Sequence, residues 1–153
     1  MSLLRRRMML RADTAMKNGF IDGSYSNDRN TAVVSNGNHI ALSTPVSYKE
    51  ISVPFISSIQ IHDGDVIGIS FSAKPYLDSW SWNGLFLIDG QNQSLGIWSN
   101  QRGISANRVY SVTATSDFTA ELLCFGVLSM AGQDTTETRD FDVAMFLNGE
   151  QLF

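Results

Sequence analysis

The chain has 153 residues, of which 43% are hydrophobic and 17% charged, with a formal net charge of −4. That is enough apolar material for one domain with a real core, and it argues against disorder and coiled coil. The acidic balance disfavours a general nucleic-acid binder, while one cysteine and two histidines argue against an internal disulfide, a Cys-rich zinc site and a His-based metal centre.

Residues 1–17 read as a basic amphipathic helical arm. Ser2 can cap a helix in which Leu4, Met8, Ala12 or Arg11, and Ala15 fall near one face, and Asn18-Gly19 supplies a stop. The arm carries Arg5, Arg6, Arg7, Arg11 and Lys17 against Asp13 alone, whereas residues 18–153 hold six basic and fourteen acidic side chains. So short a helix is marginal in water and needs the body, a symmetry mate or another protein to stabilise it. The charge asymmetry suits an anionic partner as well as a merely solvated start. The apolar run Met8-Met9-Leu10 falls short of the roughly 7–15 residues of a secretion signal. No stretch reaches the roughly 18–20 apolar residues of a membrane helix. The expectation is a protein made in the cytoplasm without a signal peptide or membrane span.

Residues 18–153 change to a β pattern. Asn-Gly or Asp-Gly pairs at 18–19, 22–23, 36–37, 63–64, 83–84, 89–90 and 148–149 read as turns. Residues 18–38 read as a loop or an irregular first strand. Period-two alternation then marks Ile51/Val53/Phe55, Ile59/Ile61, Ile67/Ile69/Phe71/Ala73, Tyr110/Val112/Ala114 and Phe141/Val143/Met145/Leu147 as half-buried antiparallel strands. Leu85–Ile88 and Leu122–Leu128 are apolar on both faces, which places them at sheet centres or beneath a loop or partner. Eight or nine such strands predict an all-β, antiparallel two-sheet sandwich with jelly-roll topology.

Catalytic motifs are absent: no phosphate-binding or dinucleotide-binding glycine pattern, no HExxH, no GxSxG. Cys124 lies in the apolar run Leu122-Leu123-Cys124-Phe125, where a thiol is inert packing. Asp63 and Asp65 flank a turn glycine, and Asp140 and Asp142 share the solvent side of a strand, so neither pair reads as catalytic. The chain is therefore expected not to be an enzyme. The informative feature is aromatic. Tyr76, Trp80 and Trp82 fall close together and Trp98 follows. On an extended chain Trp80 and Trp82 share a face, roughly 6.5–7 Å apart, and could form a platform for sugar rings, with Asp78 and Asn83 hydrogen-bonding at its edges. The competing reading puts one tryptophan in the core and the other on its rim. Gln91, Asn92, Gln93, Ser94, Asn100, Gln101 and Arg102 border Trp98 and suit either sugar hydroxyls or ordinary loops.

The segments Tyr48–Val53, His62–Lys74 and Phe141–Glu150 resemble the jelly-roll carbohydrate-binding modules and the wider galactose-binding-like sandwiches. That resemblance implies a non-catalytic module recognising a glycan or cell-surface polysaccharide. Many such modules hold a structural calcium ion near the chain ends. Asp22, Asp28 and Asp142 are the nominees here, although their spacing fits no calcium loop; no other cofactor or metal is implied. The start, Met1-Ser2-Leu3-Leu4-Arg5-Arg6-Arg7-Met8-Met9, resembles the N-termini of prophage tail, fibre or virion-associated proteins. It implies a module displayed on a virion, a homo-oligomer, and an arm held by another assembly protein. The alternative is a purely structural homo-oligomeric assembly protein with no small-molecule ligand.

Overall fold

The alternating segments become strands in a computed structural model, which describes residues 18–27, 30–44, 49–73, 80–98, 109–129 and 137–153. The predicted helical arm lies outside the described residues. In chain order the strands are β1 (Gly23–Ser26), β2 (Thr31–Ser35), β3 (His39–Thr44), β4 (Lys49–Ile61), β5 (Val66–Ala73), β6 (Trp80–Ile88), β7 (Ser94–Trp98), β8 (Val109–Thr113), β9 (Phe118–Ser129), β10 (Glu137–Leu147) and β11 (Glu150–Gln151).

They form two antiparallel sheets. One runs β1-β2-β3-β10-β5-β8, with β11 paired to β10, and the other runs β4-β9-β6-β7. From β3 to β10 every connection crosses between the sheets except β6 to β7. That alternation is the eight-stranded jelly roll with β1 and β2 added at one edge. The two doubly apolar runs fall on β6 and β9, the adjacent inner strands of the four-stranded sheet. Leu85, Leu87, Leu123 and Phe125 supply its buried face.

The core is aromatic at its centre. Phe71 from one sheet meets Phe125 from the other with ring centroids 5.9 Å apart, and Phe141 closes the group at 5.4 Å from Phe71 and 6.1 Å from Phe125. All three approach edge to face, the arrangement favoured by ring quadrupoles. A second cluster joins Phe20, Phe55 and Phe153, with Phe20 stacked on Phe55 at 5.2 Å.

Three local readings change. Residues 18–38 hold two paired strands, because Ala32 and Val34 alternate buried within an otherwise polar stretch. The runs Ile51–Phe55 and Ile59–Ile61 belong to one strand, β4, interrupted by a register shift between Pro54 and Ile59. Asn83-Gly84 is no turn. Trp82 lies opposite Val127 and Gly84 opposite Gly126, so Asn83 is an extra residue bulged into β6. Asn148-Gly149, in contrast, is a two-residue hairpin turn, with both residues at positive φ between the paired Leu147 and Glu150.

Candidate functional site

The β6–β7 hairpin loop is built on one carboxylate. Asp89 Oδ1 accepts the backbone N–H groups of Gln91 and Gln93 at 2.8 and 2.9 Å. The Asp89 N–H donates to the Gln93 carbonyl, and Asn92 sits at φ 62°, a conformation asparagine tolerates. This loop forms one wall of an open cleft of about 600 Å³. Residues 115–117, Gln60 of β4 and Thr119 and Glu121 of β9 also line it. The Asp117 carboxylate is held by the Asp63 N–H at 3.0 Å and lies 3.8 Å from His62 Nδ1. Thr119 Oγ1 donates to Gln60 Oε1 at 3.0 Å. The Glu121 carboxylate leans across Gly90, its oxygens 3.2 Å from where a β-carbon there would stand. Leu95 and Phe118, both half-buried against the core, give the cleft an apolar floor. The lining therefore combines side-chain amides, hydroxyls and carboxylates, with no lysine or arginine among the described residues.

Phe86 of β6 occupies the outer side of the same sheet. It alternates with the buried Leu85 and Leu87, is half-buried, and is not among the side chains packed on the core. Its ring lies over glycine. A β-carbon on Gly84 would stand 2.1 Å from Phe86 Cε2, and one on Gly96 would stand 3.5 Å from the opposite ring edge. Across the strands, Ser52, Cys124, Phe86 and Gly96 form one row, and Pro54, Leu122, Ile88 and Ser94 the next. Ser94 also lines the cleft, so the aromatic row and the cleft adjoin.

Of the predicted site residues, Tyr76 and Asp78 lie outside the described residues, as do Asn100, Gln101 and Arg102. The backbone places Trp80, Trp82 and Asn83 at the start of β6 and Trp98 at the end of β7, opposite Leu85. Trp80 and Trp82 are two apart on extended chain, opposite Ser129 and Val127. The bulge at Asn83 puts these positions in step with Leu123 and Phe125 of β9 rather than with Cys124. Gln91, Gln93 and Ser94 do line the cleft. Phe86, Gln60, Thr119 and Glu121 were not singled out. The signal for Phe86 was an aromatic two residues from a strand glycine, the pattern in which a ring covers bare backbone.

Cys124 is buried on β9. Burial pushes its thiol pKa up, partly offset by a hydrogen bond with Ser52. Of the calcium nominees, Asp22 accepts the Gly37 N–H at 2.8 Å, Asp142 lies 2.8 Å from His39 Nδ1, and Asp28 is outside the described residues. Among the described residues no group of three potential ligands could hold a metal ion. No helix among them is long and apolar enough to cross a membrane.

No protein-family model and no curated protein matches the chain. Among solved structures it is similar to a family 29 carbohydrate binding module at 12% identity and a TM-score of 0.46, covering 88% of this chain and 89% of that one. It is also similar to the xyloglucanase domain of NopAA, a type three effector from Sinorhizobium fredii, at 11% identity and a TM-score of 0.39, over 85% and 95% of the two chains. A third similarity is to the VP2 subviral particle of infectious bursal disease virus, at 9% identity and a TM-score of 0.35, over 81% and 41%.

Proposed function

We propose that the protein is a non-catalytic jelly-roll module that binds a neutral glycan and is displayed on a larger assembly such as a prophage virion or tail. The observation that carries the glycan reading is the cleft beside β7, rich in amides and hydroxyls and without a cationic side chain among its described lining residues. A sugar hydroxyl both donates and accepts. Side-chain amides at Gln60, Gln91 and Gln93 answer both functions, and the Glu121 carboxylate accepts. The carboxylates of Asp89, Asp117 and Glu121 in the lining disfavour phosphates, sulfates and uronates, which need a cationic partner. The adjoining Phe86 ring offers a flat apolar surface suited to the C–H face of a pyranose.

The test is a screen of neutral polysaccharides against the full chain, followed by calorimetry on Gln93→Ala, Glu121→Ala and the Trp80→Ala/Trp82→Ala pair. Circular dichroism confirms folding. Loss of binding in folded Gln93→Ala and Glu121→Ala places the ligand in the cleft. Loss only in the tryptophan pair places it at the start of β6. A folded wild-type protein that binds none of the glycans refutes the reading and leaves the structural assembly role.

A further inference from the structure

We propose that two copies of the chain pair edge to edge through β8, about a two-fold axis at Ser111, so that the larger sheet of one copy continues into that of the other. The inference is independent of the glycan reading.

Among the described residues the two sheets end in four strands, β1, β8, β4 and β7, and three of these edges are blunted. β1 has four residues and opens on Gly23, which weakens a strand. β4 carries Pro54, and Phe20 bridges it at Phe55 beside the register shift. Along β7 the register skips Ile97, since Leu85 lies opposite Trp98 and Phe86 opposite Gly96, so that edge is bulged. Proline, bulges and shortness keep an edge from pairing with another chain. β8 has none of these. Its sequence, Val109-Tyr110-Ser111-Val112-Thr113, holds no charge, glycine or proline and is rich in β-branched residues. It ends the larger sheet, and among the described residues no strand pairs with its outer side.

The edge is built to meet its own copy. The Ala114 N–H donates to the Asp65 carbonyl at 2.8 Å. Val66, opposite Thr113, turns the other way: its N–H donates to Asn148 Oδ1 at 2.9 Å and its carbonyl accepts the Asn148 N–H at 2.8 Å. The unbroken β5–β8 register therefore turns the backbone of Tyr110 and Val112 toward β5, and that of Val109, Ser111 and Thr113 outward. The same three residues have exposed side chains, and Val109, at 53%, is the most exposed large apolar residue among those described. In an antiparallel pair centred on Ser111, Ser111 faces the partner's Ser111 and Val109 faces the partner's Thr113. All three outward residues then take hydrogen-bonded positions, which gives about six bonds between the copies. On the outer face Val66, Thr113 and the partner's Val109 form one β-branched row, which draws the two exposed valines of this edge into the contact. The strand carries no charge to repel its copy across the axis, and none that would select a foreign strand. Such a contact is isologous and closes at two copies.

Sedimentation equilibrium of the full chain over a range of concentrations tests this. The wild type should approach twice the chain's 16.9 kDa. Ser111→Pro removes only an outward N–H and sets a ring at the axis, so it should fold as the wild type does and raise the dimer Kd by at least about tenfold. Ser24→Pro, whose lost N–H also faces outward but on β1, should leave the Kd unchanged. If circular dichroism shows that Ser111→Pro does not fold, Ser111→Lys is read in its place, because it sets two like charges face to face. A dimer that persists unchanged in the folded Ser111 variant would overturn the proposal, as would a trimer. A wild-type chain still monomeric at about 1 mM would also overturn it and leave the edge to a strand of another protein.

Discussion

Gly84→Ala tests the placement of the Phe86 ring on the outer side of the four-stranded sheet. The new β-carbon would stand 2.1 Å from Phe86 Cε2, 2.6 Å from Cζ and 3.1 Å from Cδ2, so it and the ring cannot share that space. Gly84 lacks a positive φ, so the backbone itself accepts alanine. The whole penalty therefore comes from displacing the ring, which leaves its glycine bed and takes a poorer rotamer. Overpacking of this kind costs about 1–3 kcal/mol. With Phe86 already replaced by alanine, the same change should instead gain about 0.5–1 kcal/mol, because alanine loses less entropy than glycine in a strand. The coupling between the two positions is then on the order of 2–3 kcal/mol. Urea unfolding of wild type, both single variants and the double variant, followed by tryptophan fluorescence, measures the cycle. In thermal unfolding each kcal/mol should move Tm by about 2–4 °C in a protein of this size. An equal cost for Gly84→Ala in both backgrounds would show that the ring does not lie over Gly84.

Asp65 gives a pH prediction. Its carboxylate accepts from Asn148 Nδ2 at 2.9 Å and from the His62 N–H at 2.7 Å, and these bonds, that of Asn148 foremost, lower its pKa from the usual 3.8. A lowered folded-state pKa means stability present above that usual value and lost as pH falls through the folded one. Below about pH 4, Asp65→Ala should therefore show a shallower fall of Tm with acid than the wild type, and parallel curves would sink the assignment. Cys124 should resist iodoacetamide in the native protein at pH 8 and react at the unfolding rate, because burial raises its thiol pKa; fast native labelling would refute its burial. Phe125→Ala should cost about 3–5 kcal/mol by emptying the centre of the aromatic group it shares with Phe71 and Phe141. A loss under 1 kcal/mol would mean those rings do not pack as described.

The sandwich was legible because its signal is local. Ile67, Ile69 and Phe71 alternate with small residues whatever their partners, and the doubly apolar runs named the two inner strands of the smaller sheet. What was not legible depends on pairing. Nothing in Asn83-Gly84 distinguishes a turn from a bulge until Val127 and Gly126 are known to lie opposite. The polar composition of residues 18–38 hid Ala32 and Val34, whose burial depends on β3 beside them. The same holds for the cleft. Gln91, Gln93 and Ser94 were visible as an amide-rich loop, but Gln60, Thr119 and Glu121 come from strands far off in sequence and join that loop only through the ladder. Phe86 lies in a run read as apolar on both faces, and only the glycines at 84 and 96 reveal that its ring covers the outer one.

The single same-sheet connection between β3 and β10, the β6–β7 hairpin, also bears on how the chain folds. Every other pairing within the roll waits on the closure of a loop that crosses the sandwich, which places the protein among slow, millisecond-to-second folders. The hairpin can form within about 1–10 μs, and its Asp89-centred loop carries its own hydrogen bonds. One wall of the cleft can thus assemble before the sheet that supports the other. Substitutions in that loop should then slow refolding, while those at Asp117 should mainly speed unfolding.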